Sequence, residues 1–409
     1  MKKRLLSLLL AGAMAAALCA CGSSEETTDA TESIAETTDG SELAASETAE
    51  AVASSIVYDG PASCTMELNY EEVVKDLPAY TGLALTVDKS YEVTDEAKND
   101  YLYSLLTYYD VDAYSEVTDR DTIQEGDYVN VDYTGYKDGE AFDGGSATNQ
   151  IIDVSGNCSA TGSGYIDGFT DALMGAKVGD TVSGDVTFPE NYGSEELAGQ
   201  PATFEFVINS IVIPVTFDTL TDEMVGQAFE GYTAEALKTY ITSYLENQAS
   251  NAAVSAAQDY ILANSTLEVP EEYDTARMYE YARMIEMMYC EDTNLETYLT
   301  DNYNETLDEF YEGLKENVEE QTRLDILFIR IAQLEGIEID EEEYETFLDY
   351  CLTSYYVTNS GNQLFADADE LYAYFGDGDA EVGHTYMNNQ YLMNKAVDLV
   401  ADSALVTYE

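Results

Sequence analysis

A chain of 409 residues with 45% hydrophobic and 11% aromatic content has enough apolar material for two or three packed domains, which excludes a wholly disordered protein. Only 16 Lys and Arg stand against 81 Asp and Glu, a net charge of −65. A surface of that sign repels phosphate, so nucleic acid, ribosomal RNA and anionic lipid headgroups are excluded as expected partners.

Met1-Lys2-Lys3-Arg4 and the apolar run over residues 5–20 read as the charged and hydrophobic regions of a signal peptide, short of the length a membrane span needs. The run ends in Leu18-Cys19-Ala20-Cys21, which resembles the bacterial lipobox, where cleavage leaves the cysteine N-terminal and lipid-modified. Cys21 is therefore the expected lipidation site, and the protein is expected outside the cytoplasm, held to the cell membrane by that lipid. The small residues around Cys21 also suit an ordinary secretion peptidase. Removing residues 1–20 leaves a net charge of −68. Residues 21–57, nearly all Gly, Ser, Thr, Ala, Glu and Asp, bury too little apolar area to offset chain entropy and are expected as a disordered acidic tether.

Residues 58–118 read as a linker segment with a helix. Ala84-Leu85-Thr86-Val87 is strand-like, and a helix follows Tyr91 with Thr94 as its cap, Asp95 and Glu96 in its first turn, and Tyr101, Leu102, Leu105 and Tyr108 at helical spacing. Over residues 119–213 the period becomes two. Val129, Val131 and Tyr133 alternate with polar neighbours, as do Phe204, Phe206 and Ile208, and Glu125-Gly126-Asp127, Lys137-Asp138-Gly139 and Val178-Gly179-Asp180 are turns. These predict an antiparallel sheet. From residue 214 to 409 the pattern is helical: Thr233 caps a helix bearing Leu237, Ile241 and Leu245, while Leu324, Leu327, Phe328 and Ile331 mark another that Gly336 stops.

Six motifs fall in order within residues 119–213: Tyr133-Thr134-Gly135, Asp138-Gly139-Glu140, Phe142-Asp143-Gly144-Gly145, Ile166-Asp167-Gly168-Phe169, Phe188-Pro189-Glu190-Asn191-Tyr192-Gly193 and Ala202-Thr203-Phe204-Glu205-Phe206. Together they resemble the FKBP-type peptidyl-prolyl isomerases. That resemblance implies a proline pocket lined by Tyr133, Phe142, Asp143, Ile166, Phe169, Tyr192 and Phe206. Phe169 would form its floor and Tyr165 part of its rim. The Ile166 backbone N–H and the Tyr192 hydroxyl would donate to substrate, and Asp143 would set a dipole near the twisting amide. Three stretches depart from the family pattern: Gln150-Ile151-Ile152 lacks an expected aromatic, residues 155–164 are longer than in compact members, and Asp167 stands where Pro or a basic residue is common.

The flanks extend the likeness. Val93-Thr94-Asp95-Glu96 before the module, then Leu220-Thr221-Asp222-Glu223, Val269-Pro270 and a long helical tail, look like trigger factor over residues 75–409. The basic ribosome-docking segment of that family has no counterpart here, so no ribosome is expected as a partner. The implied fold is α+β: an FKBP-like antiparallel sheet wrapped on a short helix, plus a trigger-factor-like or SurA-like all-α chaperone domain.

An X-Pro bond crosses a barrier of about 18–20 kcal/mol without any bond being broken, so its catalyst needs no nucleophile. It needs an apolar pocket that favours the twisted amide over the planar one. A thousandfold gain asks for about 4 kcal/mol. His384, the only histidine, leaves no Ser/His or Cys/His system. The scatter of Cys64, Cys158, Cys290 and Cys351 argues for buried thiols before disulfides, and no acidic cluster has EF-hand spacing. Neither metal nor organic cofactor is implied. The expected activity is isomerisation of X-Pro bonds in unfolded or nascent exported polypeptides, with the 34 Tyr and 11 Met partly serving a chaperone surface; the alternative is a holdase lipoprotein whose FKBP module is inactive.

Overall fold

The structure, a computed structural model, describes residues 53–409 apart from 110, 112 and 230. The signal peptide, Cys21 and the tether up to residue 52 lie outside the described residues. The chain mixes helix and sheet in two compact units, one of residues 93–245 and one formed by the segments on either side of it.

The flanking unit opens with α1 (Tyr70–Val73), β1 (Val74–Asp76) and β2 (Ala84–Val87). The central unit then begins at α2 (Asp95–Tyr108), where the Thr94 hydroxyl accepts from the Ala97 N–H at 3.1 Å and two acidic residues face the positive end of the helix dipole. Six strands follow: β3 (Tyr114–Glu116), β4 (Tyr128–Lys137), β5 (Glu140–Asp153), β6 (Cys158–Ser159), β7 (Thr181–Thr187) and β8 (Pro201–Pro214). Their order is β3-β8-β4-β5-β6 with β7 also on β8, all antiparallel. The β4–β5 hairpin turns on Asp138 (φ 54°) and Gly139 (φ 84°), the two left-handed residues a tight hairpin with right-handed strand twist requires. The expected short helix is a single 3-10 turn, Asp171–Leu173, held between the left-handed Gly168 and Gly175, which leave no room for a longer helix.

One face of the sheet buries Val129, Val131, Phe204, Phe206 and Ile208 against Leu173 and Ile123. After β8 come α3 (Asp222–Ala228) and the first part of α4 (Ala234–Asn264). Val215, Leu220, Val225, Leu237 and Ile241 pack with Leu102 and Leu106 of α2. Residues 214–245, expected with the helical body, and 93–118, expected as linker, therefore form one hydrophobic cluster within the central unit.

Beyond residue 245 the flanking unit resumes with the rest of α4, then β9 (Thr266–Leu267), α5 (Glu271–Tyr289), α6 (Leu295–Tyr303), α7 (Leu307–Glu335), α8 (Glu341–Tyr350) with a π-helical turn at Cys351–Tyr355, α9 (Ala368–Phe375), α10 (Ala380–Asp402) and β10 (Leu405–Tyr408). Gly336 (φ 64°) stops α7 in the left-handed cap. β9 pairs antiparallel with β1 and β10 pairs parallel with β2, so residues 58–92 belong to this unit instead of linking it. Inside it Arg277 and Asp325, 5% and 7% exposed, form an ion pair at 2.8 Å. No described helix is long and apolar enough to cross a membrane.

The expected tether ends before residue 57. Ile56 is buried among Ala282, Ile285, Leu295 and Leu299, and the Glu286 carboxylate accepts from the Ser54 hydroxyl and from the Ser55 N–H (3.1 Å) and hydroxyl (3.0 Å). One apolar side chain and three hydrogen bonds offset the ordering of a segment whose composition alone reads as disordered.

Candidate active site

One face of the sheet in the central unit gathers the aromatic residues. Alternation places Tyr133 on the same face as Val129 and Val131, and the β4–β8 register sets Tyr133 opposite Phe206 and Gly135 opposite Phe204. Between Thr134↔Ser146 and Tyr136↔Ala141 the ladder skips four residues of β5. Phe142, Asp143, Gly144 and Gly145 form that bulge, which turns the Phe142 ring inward while Asp143 stays exposed.

Two glycines make room for the ring. A Cβ on Gly135 would lie 2.5 Å from Phe142 and 2.6 Å from Phe204, and one on Gly145 would lie 2.5 Å from Phe142. Phe142 thereby meets Phe188 and Phe204 edge-on at 5.9 and 5.8 Å. Phe169 is buried, 3% exposed, stacked with Tyr165 at 4.3 Å and edge-on to Phe204 and to the fully buried Phe206 at 4.8 and 5.1 Å. Tyr192, 40% exposed, leans on Phe188 at 4.6 Å.

Three polar groups on the segments that carry these rings make no bond. Among the described residues the Ile166 N–H has no acceptor, and neither the Tyr192 hydroxyl nor the Asp143 carboxylate has a partner. Asn157 fixes the loop that carries Ile166. Its amide donates to the Ile166 carbonyl at 3.1 Å, its oxygen accepts from the Thr170 N–H and hydroxyl at 3.3 and 3.2 Å, and its own carbonyl accepts from the Tyr165 N–H at 2.9 Å. Asn157 is left-handed (φ 49°), a conformation asparagine tolerates. Burial, and then the neighbouring Tyr192, push the Tyr133 phenol up, and burial pushes Tyr165 to about 12, so both hydroxyls stay protonated at neutral pH.

All seven residues predicted for the pocket thus lie in this one unit, and Tyr133, Phe142, Phe169 and Phe206 join a single aromatic cluster. Sequence reasoning missed three contributors. Phe204 touches five other rings, Phe188 bridges Phe142 and Tyr192, and Asn157 positions the 165–170 loop. Phe204 shares the alternation that marked Phe206, a usable signal; Asn157 sits in the long segment of residues 155–164 and had none. Among the described residues no group of three or more His, Cys, Asp or Glu is placed to hold a metal ion, and all four described cysteines are free, Cys290 and Cys351 buried.

Two known families match successive parts of the chain. Residues 120–210 match the FKBP-type peptidyl-prolyl cis-trans isomerase family, and residues 233–402 match the C-terminus of bacterial trigger factor. The trigger factor of Shouchella clausii is 33% identical over 65% of this chain and 60% of its own, that of Halalkalibacterium halodurans 31% over 66% and 61%, and that of Acetivibrio thermocellus 28% over 69% and 63%. The chain is therefore trigger-factor-like and carries an FKBP-type domain, and it spans about six tenths of the length of these curated relatives. These likenesses overturn one expectation. Trigger factors are ribosome-associated chaperones that bind nascent chains, so the exclusion of a ribosome does not stand on charge and a missing docking segment.

Proposed function

We propose that the protein is a foldase that isomerises X-Pro bonds in unfolded polypeptides, with its helical unit holding the client chain near the pocket. The observation that carries this reading is one aromatic cluster flanked by the unpartnered Ile166 N–H and Tyr192 hydroxyl. A proline ring packs against Tyr133 and Phe142, with the buried Phe169 and Phe206 backing them. The substrate carbonyl accepts from the Ile166 N–H, and Tyr192 donates to the chain beyond it. As the amide twists, its resonance is lost and its carbon–nitrogen bond lengthens in a site that excludes water. Such a site binds the twisted form more tightly than the planar one, which is all the reaction requires. Weak holding of the same chain elsewhere raises its local concentration at the pocket.

Exchange spectroscopy on a short X-Pro peptide, with catalytic amounts of full-length protein, tests this. Accelerated exchange that Phe142→Ala abolishes supports it; no acceleration leaves the non-catalytic holdase as the account.

Export and anchoring rest on residues 1–21 alone: the charged start, the apolar run and Cys21. In this reading the mature chain begins at a lipid-modified Cys21 and works on newly exported proteins at the outer face of the membrane. Labelling cells with a tagged fatty acid tests it: wild type takes up label and fractionates with membranes, and Cys21→Ala does neither. Label retained by the variant would place the modification elsewhere.

A further inference from the structure

The helical unit contains a cavity of about 360 Å³, at the small end of the range ligand sites occupy. Its walls are aromatic: Tyr281 from α5, Phe347 from α8, Tyr356, Phe375 from α9 and Tyr386 from α10. The strap of residues 62–64 closes one side, and an adjoining space of about 230 Å³ continues beneath Tyr58.

Most charges on these walls are already satisfied. Arg277 is bound to Asp325 at 2.8 Å and donates to the Tyr386 hydroxyl at 2.9 Å, with its guanidinium over the Tyr281 ring at 5.1 Å. Asp325 takes a further bond from Gln321 at 2.8 Å, and Glu280 accepts from the Ser63 N–H and hydroxyl, both at 2.7 Å. Two groups differ. Arg283 and Asp377 line both spaces, and among the described residues neither side chain has a hydrogen bond or ion pair, nor do they reach each other. Of the described arginines, 120, 277 and 323 are in ion pairs and Arg330 donates to Gln333, so Arg283 stands alone in a chain where acids outnumber bases fivefold.

An open guanidinium and an open carboxylate on the rim of one aromatic cavity match a zwitterion with an aromatic body. We propose that this cavity binds a free aromatic α-amino acid: its carboxylate on Arg283, its ammonium on Asp377 and its ring among Phe347, Tyr356, Phe375 and Tyr386. A planar guanidinium takes a carboxylate by two parallel bonds, and a ring seated among rings gains both area burial and edge-to-face contact. A neutral aromatic would leave both charges idle, and a small zwitterion such as glycine would leave the aromatic walls wet.

Titration calorimetry on the full chain, with L-phenylalanine as probe, tests the assignment. The expected result is saturable binding of one phenylalanine per chain, weakened about tenfold or more for phenylalaninamide, for N-acetylphenylalanine and for glycine. Arg283→Gln should weaken phenylalanine about tenfold and leave phenylalaninamide unchanged, and Asp377→Asn should do the same while leaving N-acetylphenylalanine unchanged. Neither side chain makes a bond in the described fold, so both variants keep their thermal midpoint without ligand, and phenylalanine raises it in wild type only. No saturable binding tighter than about 1 mM, or binding indifferent to both charges and both substitutions, would overturn the proposal.

Discussion

Tyr133 meets Phe169 edge-on, their ring centroids 5.2 Å apart and their planes at 88°. The contact joins a partly buried strand residue to a ring buried in the central unit, so the wall of the candidate pocket is also part of the core under the sheet. Truncating Phe169 therefore acts on stability: Phe169→Ala is expected to destabilise this unit by about 3–5 kcal/mol in urea unfolding. Tyr192→Phe, at an exposed rim, should shift stability by less than about 0.5 kcal/mol while lowering isomerase turnover severalfold. Equal effects of the two on unfolding would mean that Tyr192 is packing and not pocket.

The bulge at residues 142–145 gives a sharper test of geometry. The nearest atoms a methyl at Gly145 would meet are those of the Phe142 ring, at 2.5 Å. The side chain must swing out, so Gly145→Ala should lower kcat/KM about as far as Phe142→Ala does, and the double variant should be no worse than either alone. Additive losses would show that the two residues act independently.

Asn157 is a positioning residue, since it reaches the site only through the loop it holds. Asn157→Gly keeps the left-handed backbone and removes the clamp. Turnover should fall about tenfold as the Ile166 N–H loses its fixed direction, with exchange broadening of the 165–170 amides in NMR spectra. Unchanged amides with lowered turnover would place the role of Asn157 elsewhere.

The strap at residues 53–57 responds to pH through Glu286. Burial alone would raise that carboxyl, but the Leu295 N–H and the donors of Ser54 and Ser55 hold it below the ordinary glutamate value of 4.5. A depressed folded value stabilises fully above the unfolded value and is lost as pH falls through the folded one. Hydrogen-exchange protection of residues 53–57 should thus be present near neutral pH and fade as pH falls below the ordinary glutamate value, whereas Glu286→Gln should show weak protection at both. Protection in the variant equal to wild type at both values would assign the docking to Ile56 alone.

Local signals carried the reading of the chain furthest. Thr94 caps α2, Asp138-Gly139 makes the hairpin and Gly336 ends α7 because each is decided within a few residues. The pairing of β10 with β2 joins segments more than three hundred residues apart, and the strand-like pattern of residues 84–87 does not name its partner. Ile56 sits in a stretch whose composition reads as disordered, and its order comes from Ala282, Leu295 and Glu286 far along the chain. The site divides in the same way: Tyr133 and Phe206 follow from alternation and motif, whereas the clamp of Asn157 and the open charges of Arg283 and Asp377 exist only once distant elements meet.

Proline-limited refolding of an unrelated protein, followed with and without the full-length chain, tests the central claim most directly. The account predicts that wild type speeds the slow phase at substoichiometric concentration, that Phe142→Ala and Tyr192→Ala each remove most of that gain, and that Arg283→Gln leaves it intact. A slow phase unmoved by wild type, or accelerated equally by all four proteins, would contradict it.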